Sequence, residues 1–339
     1  MHILITGGAG FIGCNLAQHH LSHGHTVTIF DNLSRKGADK NLAWLQDQHG
    51  SGLRFIQGDV RDYAALVNAV RGAERVFHMA SQVAVTTSVT DPRTDFEINA
   101  LGTFNVLEAV RASAPQAIVF YASTNKVYGG MEEVAVVQEA TRYRYRDLPG
   151  GIPESQMLDF HSPYGCSKGT GDQYVRDYAR IYGLRTVVFR QSCIYGTRQF
   201  GVEDQGWVAH FCIAAAKGRS INIYGNGKQV RDVLWVDDLV HAYNLAAERI
   251  DVASGRIYNV GGGPENAMSI WAEFGPILEE LAGHPISIKH GDWRPGDQPV
   301  YVSDVSRAKS ELGWSPRVGL REGIHKLWDW VRENSTLFD

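Results

Sequence analysis

The chain has 339 residues, of which 44% are hydrophobic and 21% are charged, a balance typical of globular proteins. Its 33 basic and 37 acidic side chains give a net charge of −4, so nothing favours nucleic acid or an anionic membrane as a partner. The sequence shows neither an apolar run long enough to span a membrane nor a secretory signal pattern, and we expect a soluble, cytoplasmic protein.

Cysteine and histidine usage argues against disulfides and metals. The four cysteines form no CxxC pair and no regular framework, which predicts reduced thiols. The 13 histidines include no HExxH motif and no tight cluster with carboxylates, so we expect no metal site.

The first 190 residues alternate between short apolar runs and longer amphipathic stretches. The short runs predict strands at His2–Thr6, Thr26–Phe30, Leu53–Gln57, Arg75–Ala80, Ala117–Ala122 and Thr186–Arg190. The amphipathic stretches predict helices at Ile12–His23, Tyr63–Val70, Glu97–Ser113 and Ser167–Tyr182. Because such alternation is typical of a parallel sheet covered on both faces, the sequence predicts an α/β, Rossmann-type doubly wound parallel sheet.

After about residue 196 the alternation weakens, and short motifs rich in Gly, Asp, Trp and Arg follow. Two strand-like runs, Asp232–Val236 and Arg256–Val260, are expected to return to the main sheet. We therefore predict a dinucleotide-binding domain over residues 1–196, rejoined by residues 230–262, and a smaller C-terminal α/β substrate lobe over residues 197–229 and 263–339.

A long polar stretch, Glu133–Phe160, separates a predicted strand from a predicted helix. Loops of this length inside a compact domain are usually functional or partly mobile. We interpret its run of aromatic and basic residues, 142–146, as a solvated loop rather than a substrate contact.

A glycine-rich turn follows the first predicted strand, with Gly7, Gly10 and Gly13 in the spacing GxxGxxG. The first glycine permits a tight turn, the second lets the backbone approach a pyrophosphate, and the third lets helix and strand pack closely. Phe11 and Ile12 lie where the predicted helix Ile12–His23 begins, and the N-terminus of this helix offers free N–H groups and a partial positive charge to phosphates. The turn therefore predicts a dinucleotide site.

Acidic residues after the next two strands indicate which dinucleotide is bound. A carboxylate at Asp31 hydrogen-bonds the ribose hydroxyls and repels a 2′-phosphate, which favours NAD over NADP, although Arg35 and Lys36 weaken that exclusion. Asp59 can accept from the adenine amino group with Val60 beside the ring, but a plain strand-ending turn explains this motif equally well.

Tyr164 and Lys168 are four residues apart at the start of a predicted helix, which puts them on one face. A free tyrosine, with a pKa of about 10, is a poor base at neutral pH unless a neighbouring ammonium stabilises its phenolate. Ser123 and Thr124 end the fifth strand at the sheet edge where ligands bind. A YxxxK pair alone is common by chance, but this context predicts a catalytic set of Thr124, Tyr164 and Lys168.

In this order, the motifs resemble the extended short-chain dehydrogenase/reductase family over essentially the whole chain. Besides the glycine turn and Asp31, the resemblance rests on Gly58-Asp59-Val60, His78-Met79-Ala80, Asn99-x-x-Gly102-Thr103, Ser123-Thr124, Tyr164-x-x-x-Lys168, Arg190-x-x-Cys193-x-Tyr195-Gly196, Arg231-Asp232 and Arg294-Pro295-Gly296-Asp297. Members of the family are mostly nucleotide-sugar epimerases and dehydratases, so the resemblance implies a nucleotide-diphosphate sugar as substrate.

The resemblance also implies further site residues and an assembly. It adds cofactor contacts by Asn32, Ala80, Asn99 and Ser123. Its implied substrate contacts are Thr124, Asn125, Gln205, Arg231 and Arg294. The two arginines would clamp the diphosphate, with plain surface charge as the alternative. A homo-oligomer, dimer or tetramer, would pack through the two long predicted helices, whose amphipathic patterns fit core packing equally well.

The subgroup is indicated by the residues after Thr124. The family's 4,6-dehydratases carry an Asp–Glu pair there, and the Asn125 and Lys126 of this chain cannot do the same proton work, which favours an epimerase. Cys193 stands where many relatives have Asn, which puts that substrate contact in doubt. Several stretches resemble 2-epimerases of CDP-linked sugars: 31–37, 123–129, 158–168, 204–207 and 225–234.

We therefore expect an enzyme that inverts C2 of a CDP-linked sugar by transient oxidation with tightly bound NAD. A UDP-hexose 4-epimerase, an NAD(P)H-dependent sugar reductase and a non-catalytic nucleotide sensor remain alternatives. The choices of base and of carbon rest on resemblance alone.

Overall fold

The computed structural model of the protein describes residues 1–294 and 297–339. Its strands, in chain order, are β1 His2–Thr6, β2 Thr26–Asp31, β3 Leu53–Gln57, β4 Arg75–His78, β5 Ile118–Thr124, β6 Val136–Gln138, β7 Tyr143–Tyr145, β8 Arg185–Gln191, β9 Cys193–Tyr195, β10 Ile221–Tyr224, β11 Val230–Trp235, β12 Arg256–Val260, β13 Ala267–Ser269, β14 Ile288–Gly291 and β15 Val300–Tyr301.

The α-helices of the described residues are α1 Phe11–Ser22, α2 Ala38–His49, α3 Tyr63–Ala69, α4 Val85–Thr90, α5 Pro92–Phe96, α6 Gly102–Ser113, α7 Ser162–Tyr182, α8 Trp207–Ala216, α9 Val236–Glu248, α10 Ile250–Ala253, α11 Phe274–Ala282 and α12 Leu320–Glu333. The short helical turns are Gly50–Gly52, Glu97–Leu101, Asn125–Tyr128, Pro264–Asn266, Ala308–Leu312 and Ser335–Phe338. In the described part of the chain, no helix is both long and apolar enough to cross a membrane.

Seven strands form one parallel sheet in the order β12-β8-β5-β4-β1-β2-β3. Buried side chains of α1, α2 and α9 form the core on one face, and those of α3, α6 and α7 form the core on the other. The predicted doubly wound parallel sheet is therefore confirmed. Because the strands are parallel, their carboxyl ends meet at one edge, where ligands bind in such folds.

A smaller part of the chain has its own core, built around α8, α11 and α12. Strand β12 joins the main sheet beside β8, as predicted for Arg256–Val260. The prediction for Asp232–Val236 was wrong: β11 pairs instead with β9, β13 and β15, and α9 begins at Val236. All six residues of β11 are buried, so its apolar pattern fits the centre of either sheet. The domain boundaries stay a prediction.

Helix α7 begins at Ser162, five residues before the predicted start at Ser167. Pro163 suits a first helical turn, where a missing N–H leaves no bond unmade. The next backbone N–H, that of Tyr164, donates to Oγ of Ser88 at 3.1 Å. The early start places Tyr164 and Lys168 in consecutive turns of one helix.

The stretch Glu133–Phe160 is more ordered than a solvated loop, because β6 and β7 form an antiparallel hairpin within it. Tyr145 is buried, and Arg142 makes two hydrogen bonds of 2.7 Å to Glu273 in the smaller part of the chain. Arg144 and Arg146 are exposed. The interpretation of residues 142–146 as a loop was therefore wrong, since long-range pairing overrides their local polarity.

Exposed apolar side chains lie on α6 and α7, the helices through which the resemblance implies assembly. They are Phe104, Tyr174, Ile181 and Tyr182. The oligomeric state stays a prediction.

A buried ion pair fixes α7 against the sheet. Asp172, with no exposed side-chain surface, accepts two hydrogen bonds of 2.9 Å from Arg190 in β8. Its Oδ2 also accepts from Oγ of Ser123, at 2.7 Å, near the end of β5. The carboxylate thus joins two neighbouring strands to the helix that covers them.

Replacing this carboxylate should destabilise the fold strongly. Asp172→Ala leaves the Arg190 charge buried without its partner, which costs about 3–5 kcal/mol of the free energy of unfolding. Chemical denaturation measures the loss. The matched control is Glu280→Ala, which breaks the exposed pair with Arg321 and should change stability little. Equal losses in the two variants would contradict this role for Asp172.

Candidate active site

A cleft of about 800 Å³ opens at the carboxyl edge of the main sheet, facing the smaller part of the chain. It collects nearly all of the residues that the sequence singled out. Those lining it are Gly7, Gly10, Phe11, Ile12, Gly13, Asp31, Asn32, Asp59, Val60, Ala80, Ser123, Thr124, Asn125, Tyr164, Lys168, Gln205, Arg231 and Arg294. Two residues of the predicted Arg294–Asp297 motif, Pro295 and Gly296, lie outside the described residues.

Asn99 is the exception, because its side chain lies behind the cleft wall. Its amide nitrogen donates to the Gln82 carbonyl at 3.0 Å and to Oγ of Ser167 at 3.1 Å, and its oxygen accepts from the Gln82 N–H at 2.9 Å. The π-helical turn Glu97–Leu101 turns it toward these partners. These hydrogen bonds tie α7 to the segment after β4, and the cofactor contact of Asn99 stays a prediction.

The glycine turn has no room for side chains. Gly7 has φ of +68°, and a Cβ there would lie 2.5 Å from the Ala80 backbone nitrogen. A Cβ on Gly13 would collide with the Gly7 carbonyl oxygen. Helix α1 follows directly, with neither a side-chain cap nor an acidic residue in its first turn. Its first N–H groups therefore remain available to an anion in the cleft.

Asp31 ends β2 beside this turn. Its Oδ2 accepts from the Ala9 N–H at 3.0 Å, and its Oδ1 accepts from the Leu33 N–H at 2.8 Å. Burial raises the pKa of this carboxyl, and the backbone hydrogen bonds oppose the rise. Each oxygen keeps a lone pair, so the carboxylate can still accept from two hydroxyl groups.

Asp59 lies further along the cleft, and its carboxyl group is ionised at neutral pH. A hydrogen bond from the Arg61 side chain lowers its pKa to about 2, and Asn32 donates to the same carboxylate at 2.9 Å. Asn32 and Asp59 therefore form a polar part of the cleft lining next to Val60.

The predicted catalytic set lies together where β5 ends. The Thr124 hydroxyl lies beside the Tyr164 hydroxyl, donates to Oδ1 of Asn125 at 3.3 Å and accepts from the Lys126 N–H at 3.2 Å. One helical turn after Tyr164, Nζ of Lys168 lies 4.3 Å from the centre of the Tyr121 ring. All of the three predicted catalytic side chains are buried.

Burial shifts the pKa of both titratable groups toward the neutral form. It raises the pKa of Tyr164 to about 12, and the neighbouring Thr124 hydroxyl opposes this rise. It lowers the pKa of Lys168 to about 7, against the charges of Asp172 and Asp95. A phenol in this position needs a further positive charge nearby before it can act as a base.

Sequence reasoning missed the network that supports this set. Ser167 donates to Asp95, which also accepts from Gln82 at 2.9 Å, and Asp172 accepts from Ser123 and Arg190. The one available signal was the spacing of Asp172, which follows Lys168 by four residues and so shares its helix face.

Two arginines face the opposite side of the cleft. Arg231 is buried and donates to Oδ1 of Asp297 at 2.6 Å and to the Val230 carbonyl at 2.7 Å. Arg294 lies 3.2 Å from Asp204 and stacks at 4.0 Å over the Tyr224 ring. Gln205 accepts from Arg35 at 2.7 Å, so the segment around it closes over the cofactor side of the cleft.

These features fit an NAD-type dinucleotide. The bare glycine turn and the uncapped start of α1 suit a pyrophosphate, and the Asp31 carboxylate suits ribose hydroxyls. The Lys168 ammonium lines the same cleft beside Tyr164, so it is available to hydrogen-bond a hydroxyl group of a bound ligand.

A methyl group at Gly7 should weaken this fit. Gly7→Ala adds a Cβ in contact with Ala80, so we expect NAD affinity to fall about tenfold or more, equivalent to about 1.4 kcal/mol. Gly24→Ala is a matched control, because Gly24 also has positive φ (+76°) but meets nothing within 4 Å. Calorimetric titration with NAD measures both, and similar affinities would count against the glycine turn as the pyrophosphate site.

The buried ammonium should make stability depend on pH. Between the pKa of about 7 for Lys168 in the folded protein and its ordinary value of 10.5, the unfolded chain binds more protons, so stability rises with pH. Relative to Lys168→Met, the wild type should gain on the order of 2 kcal/mol between about pH 7 and pH 9.

Chemical denaturation without added dinucleotide measures this gain. Lys289→Met, at an exposed lysine, should run parallel to the wild type. Parallel curves for Lys168→Met as well would show that Lys168 has an ordinary pKa.

The comparisons with known proteins find similar sequences and structures over nearly the whole length of this chain. The family described as GDP-mannose 4,6 dehydratase matches residues 4–327. The CDP-paratose 2-epimerase of Salmonella typhi is 45% identical over 339 residues, which cover 98% of this chain and 99% of the relative.

Two solved structures share the fold. The UDP-glucose 4-epimerase of Thermotoga maritima, solved with UDP-glucose, is 30% identical with a TM-score of 0.84, covering 99% of this chain and 100% of that one. The dTDP-glucose 4,6-dehydratase of Streptomyces venezuelae, solved with NAD, is 28% identical with a TM-score of 0.85, covering 100% and 99%. The chain therefore belongs to the GDP-mannose 4,6 dehydratase family of extended short-chain dehydrogenases/reductases, as its motifs predict.

Proposed function

We propose that this protein is an NAD-dependent nucleotide-sugar epimerase that inverts C2 of CDP-paratose or CDP-tyvelose. The observation that carries the proposal is the placement of Thr124 beside Tyr164, with Lys168 one turn away, at the end of the cleft that begins at the glycine turn. The 45% identity to a CDP-paratose 2-epimerase supports the choice of sugar, base and carbon.

The chemistry requires transient oxidation, because the C2–H of a sugar alcohol is not acidic. Bound NAD supplies a hydride acceptor, and in its reduced form a hydride donor, together with a positive charge beside Tyr164. That charge and the Lys168 ammonium stabilise the phenolate, which overcomes the rise in pKa that burial causes.

Tyr164 then accepts the proton of the C2 hydroxyl while Thr124 hydrogen-bonds the reacting oxygen. Bound NAD would take the C2 hydride and later return it, so the 2-keto sugar would have to turn over within the cleft between the two transfers to be reduced on its opposite face. Tyr164 gives the proton back to the new alkoxide. No net oxidation occurs, so the protein needs no second substrate.

The arginines hold the other end of the substrate. Arg231 and Arg294 donate charge-assisted hydrogen bonds to the diphosphate, and both already line the cleft. Arg231 is buried, which argues against the alternative that it is plain surface charge. Anchoring by the diphosphate leaves the sugar free to rotate, as inversion demands.

Dehydration is disfavoured because acidic groups are missing where water would be eliminated. Asn125 and Lys126 follow Thr124, and Oδ1 of Asn125 accepts from the threonine hydroxyl. Neither side chain can take the place of a carboxylic acid and carboxylate pair.

The second candidate is a 4-epimerase acting on a UDP-linked hexose. It is favoured by a UDP-glucose 4-epimerase of Mycolicibacterium smegmatis, 32% identical and covering 99% of this chain, and by the Thermotoga maritima structure. The same Thr124, Tyr164 and Lys168 would act, with C4 rather than C2 facing the nicotinamide.

The decisive experiment follows the hydrogen at the reacting carbon. Purified protein, with no reductant added, should equilibrate CDP-paratose and CDP-tyvelose, and deuterium placed at C2 should remain on the sugar. Tyr164→Phe, which lacks the proton acceptor, should reduce kcat by about 100-fold or more. Mass spectrometry and NMR of the products measure both.

Three outcomes would overturn parts of the proposal. Conversion of UDP-galactose but not of CDP-paratose would establish the 4-epimerase. Stoichiometric consumption of added NADH would establish a reductase. Loss of deuterium to solvent would show that inversion proceeds by deprotonation of C2 and not by hydride transfer.

A further inference from the structure

Lys126 is a cleft residue that the proposed chemistry leaves without a role. It lies in the turn Asn125–Tyr128, directly after β5, and its N–H donates to Oγ1 of Thr124 at 3.2 Å. Its backbone oxygen lies beside Gly165, so the residue is fixed against the start of α7 as well. Its position is therefore set by the same elements that set Thr124 and Tyr164.

The side chain of Lys126 extends toward the smaller part of the chain. The charged or polar groups that act on its ammonium are Arg231 and Asp297, which line the far wall of the cleft, and Cys193. Burial, followed by the charge of Arg231, lowers the pKa of Lys126 to about 8. The group is thus still mostly protonated at neutral pH.

This ammonium has N–H donors to spare. Asp297 is held by Arg231 at 2.6 Å, and among residues 1–294 and 297–339 Nζ of Lys126 makes neither a hydrogen bond nor an ion pair. A largely enclosed charge without a partner is costly unless a ligand supplies oxygen atoms. We therefore expect the Lys126 ammonium to hydrogen-bond a bound molecule rather than to stabilise the fold.

The position of Lys126 in the cleft indicates which part of the bound molecule its ammonium contacts. In the proposed function, the reacting hydroxyl lies at Thr124 and Tyr164, and the diphosphate lies at Arg231 and Arg294. Lys126 stands between these two ends, where the sugar ring has to pass.

We propose that Lys126 positions the sugar, donating hydrogen bonds from its ammonium to a sugar oxygen other than the reacting one. This inference rests on the proposed function and adds a specificity-determining residue to it. Lys126 restricts how the ring can sit before and after it turns over, and it does not transfer the proton.

The test compares Lys126→Met with the wild type on whichever of CDP-paratose and UDP-galactose the wild type converts. A lost hydrogen bond from a charged donor should lower kcat/KM about 10- to 100-fold. The affinity for CDP or UDP alone, measured by calorimetry, should change less than about twofold, because the nucleotide lacks the sugar.

Two further variants separate this role from structural damage. Lys126→Arg keeps a charged donor and should recover part of kcat/KM. Lys289→Met makes the same replacement at an exposed lysine outside the cleft and should leave all constants unchanged.

Either of two results would overturn the inference: an unchanged kcat/KM in Lys126→Met, or an equal loss of affinity for CDP or UDP, which would assign Lys126 to the phosphates. A wild type that converts neither sugar would instead count against the proposed function, and it is observed before any variant is compared.

Discussion

The buried carboxylate of Asp172 is the interaction on which the geometry of the cleft depends. It is fully enclosed, and it binds Ser123 of β5 and Arg190 of β8 from the helix that carries Tyr164 and Lys168. A one-residue shift of α7 would break these bonds and leave a charge unpaired in the core. The register of the helix against the strand end is therefore fixed, and with it the contact of Tyr164 with Thr124.

Much of the fold could be predicted from periodicity, because the main-sheet strands are buried runs separated by amphipathic helices. Long-range choices could not be predicted. All residues of β11 are buried, so its pattern does not say which sheet it joins. The start of α7 depends on a hydroxyl contributed by Ser88, 76 positions earlier. The hairpin of β6 and β7 is held by Glu273, whose partner Arg142 looks like an ordinary surface cation in the sequence.

In the candidate site, too, some features could be predicted from the sequence and others could not. Spacing in the sequence predicts a dinucleotide site at the glycine turn and Asp31, and a catalytic pair at Tyr164 and Lys168. The structure brings all of these residues into one cleft. Asn99 is different, because only the fold shows that its side-chain amide hydrogen-bonds Gln82 and Ser167. Likewise, the sequence does not show that Lys126 lacks an acidic partner within the described residues, where Asp297 binds Arg231 instead.

The central claim is that one phenolic oxygen reaches both a sugar alcohol and the reactive ring of NAD. A crystal structure of the protein with NAD and a nucleoside-diphosphate sugar tests it most directly. We expect the Tyr164 hydroxyl within hydrogen-bonding distance of a sugar hydroxyl whose carbon faces the nicotinamide, with the Lys168 ammonium on the adjoining ribose. Side chains of Tyr164 and Lys168 directed away from the dinucleotide would contradict the account.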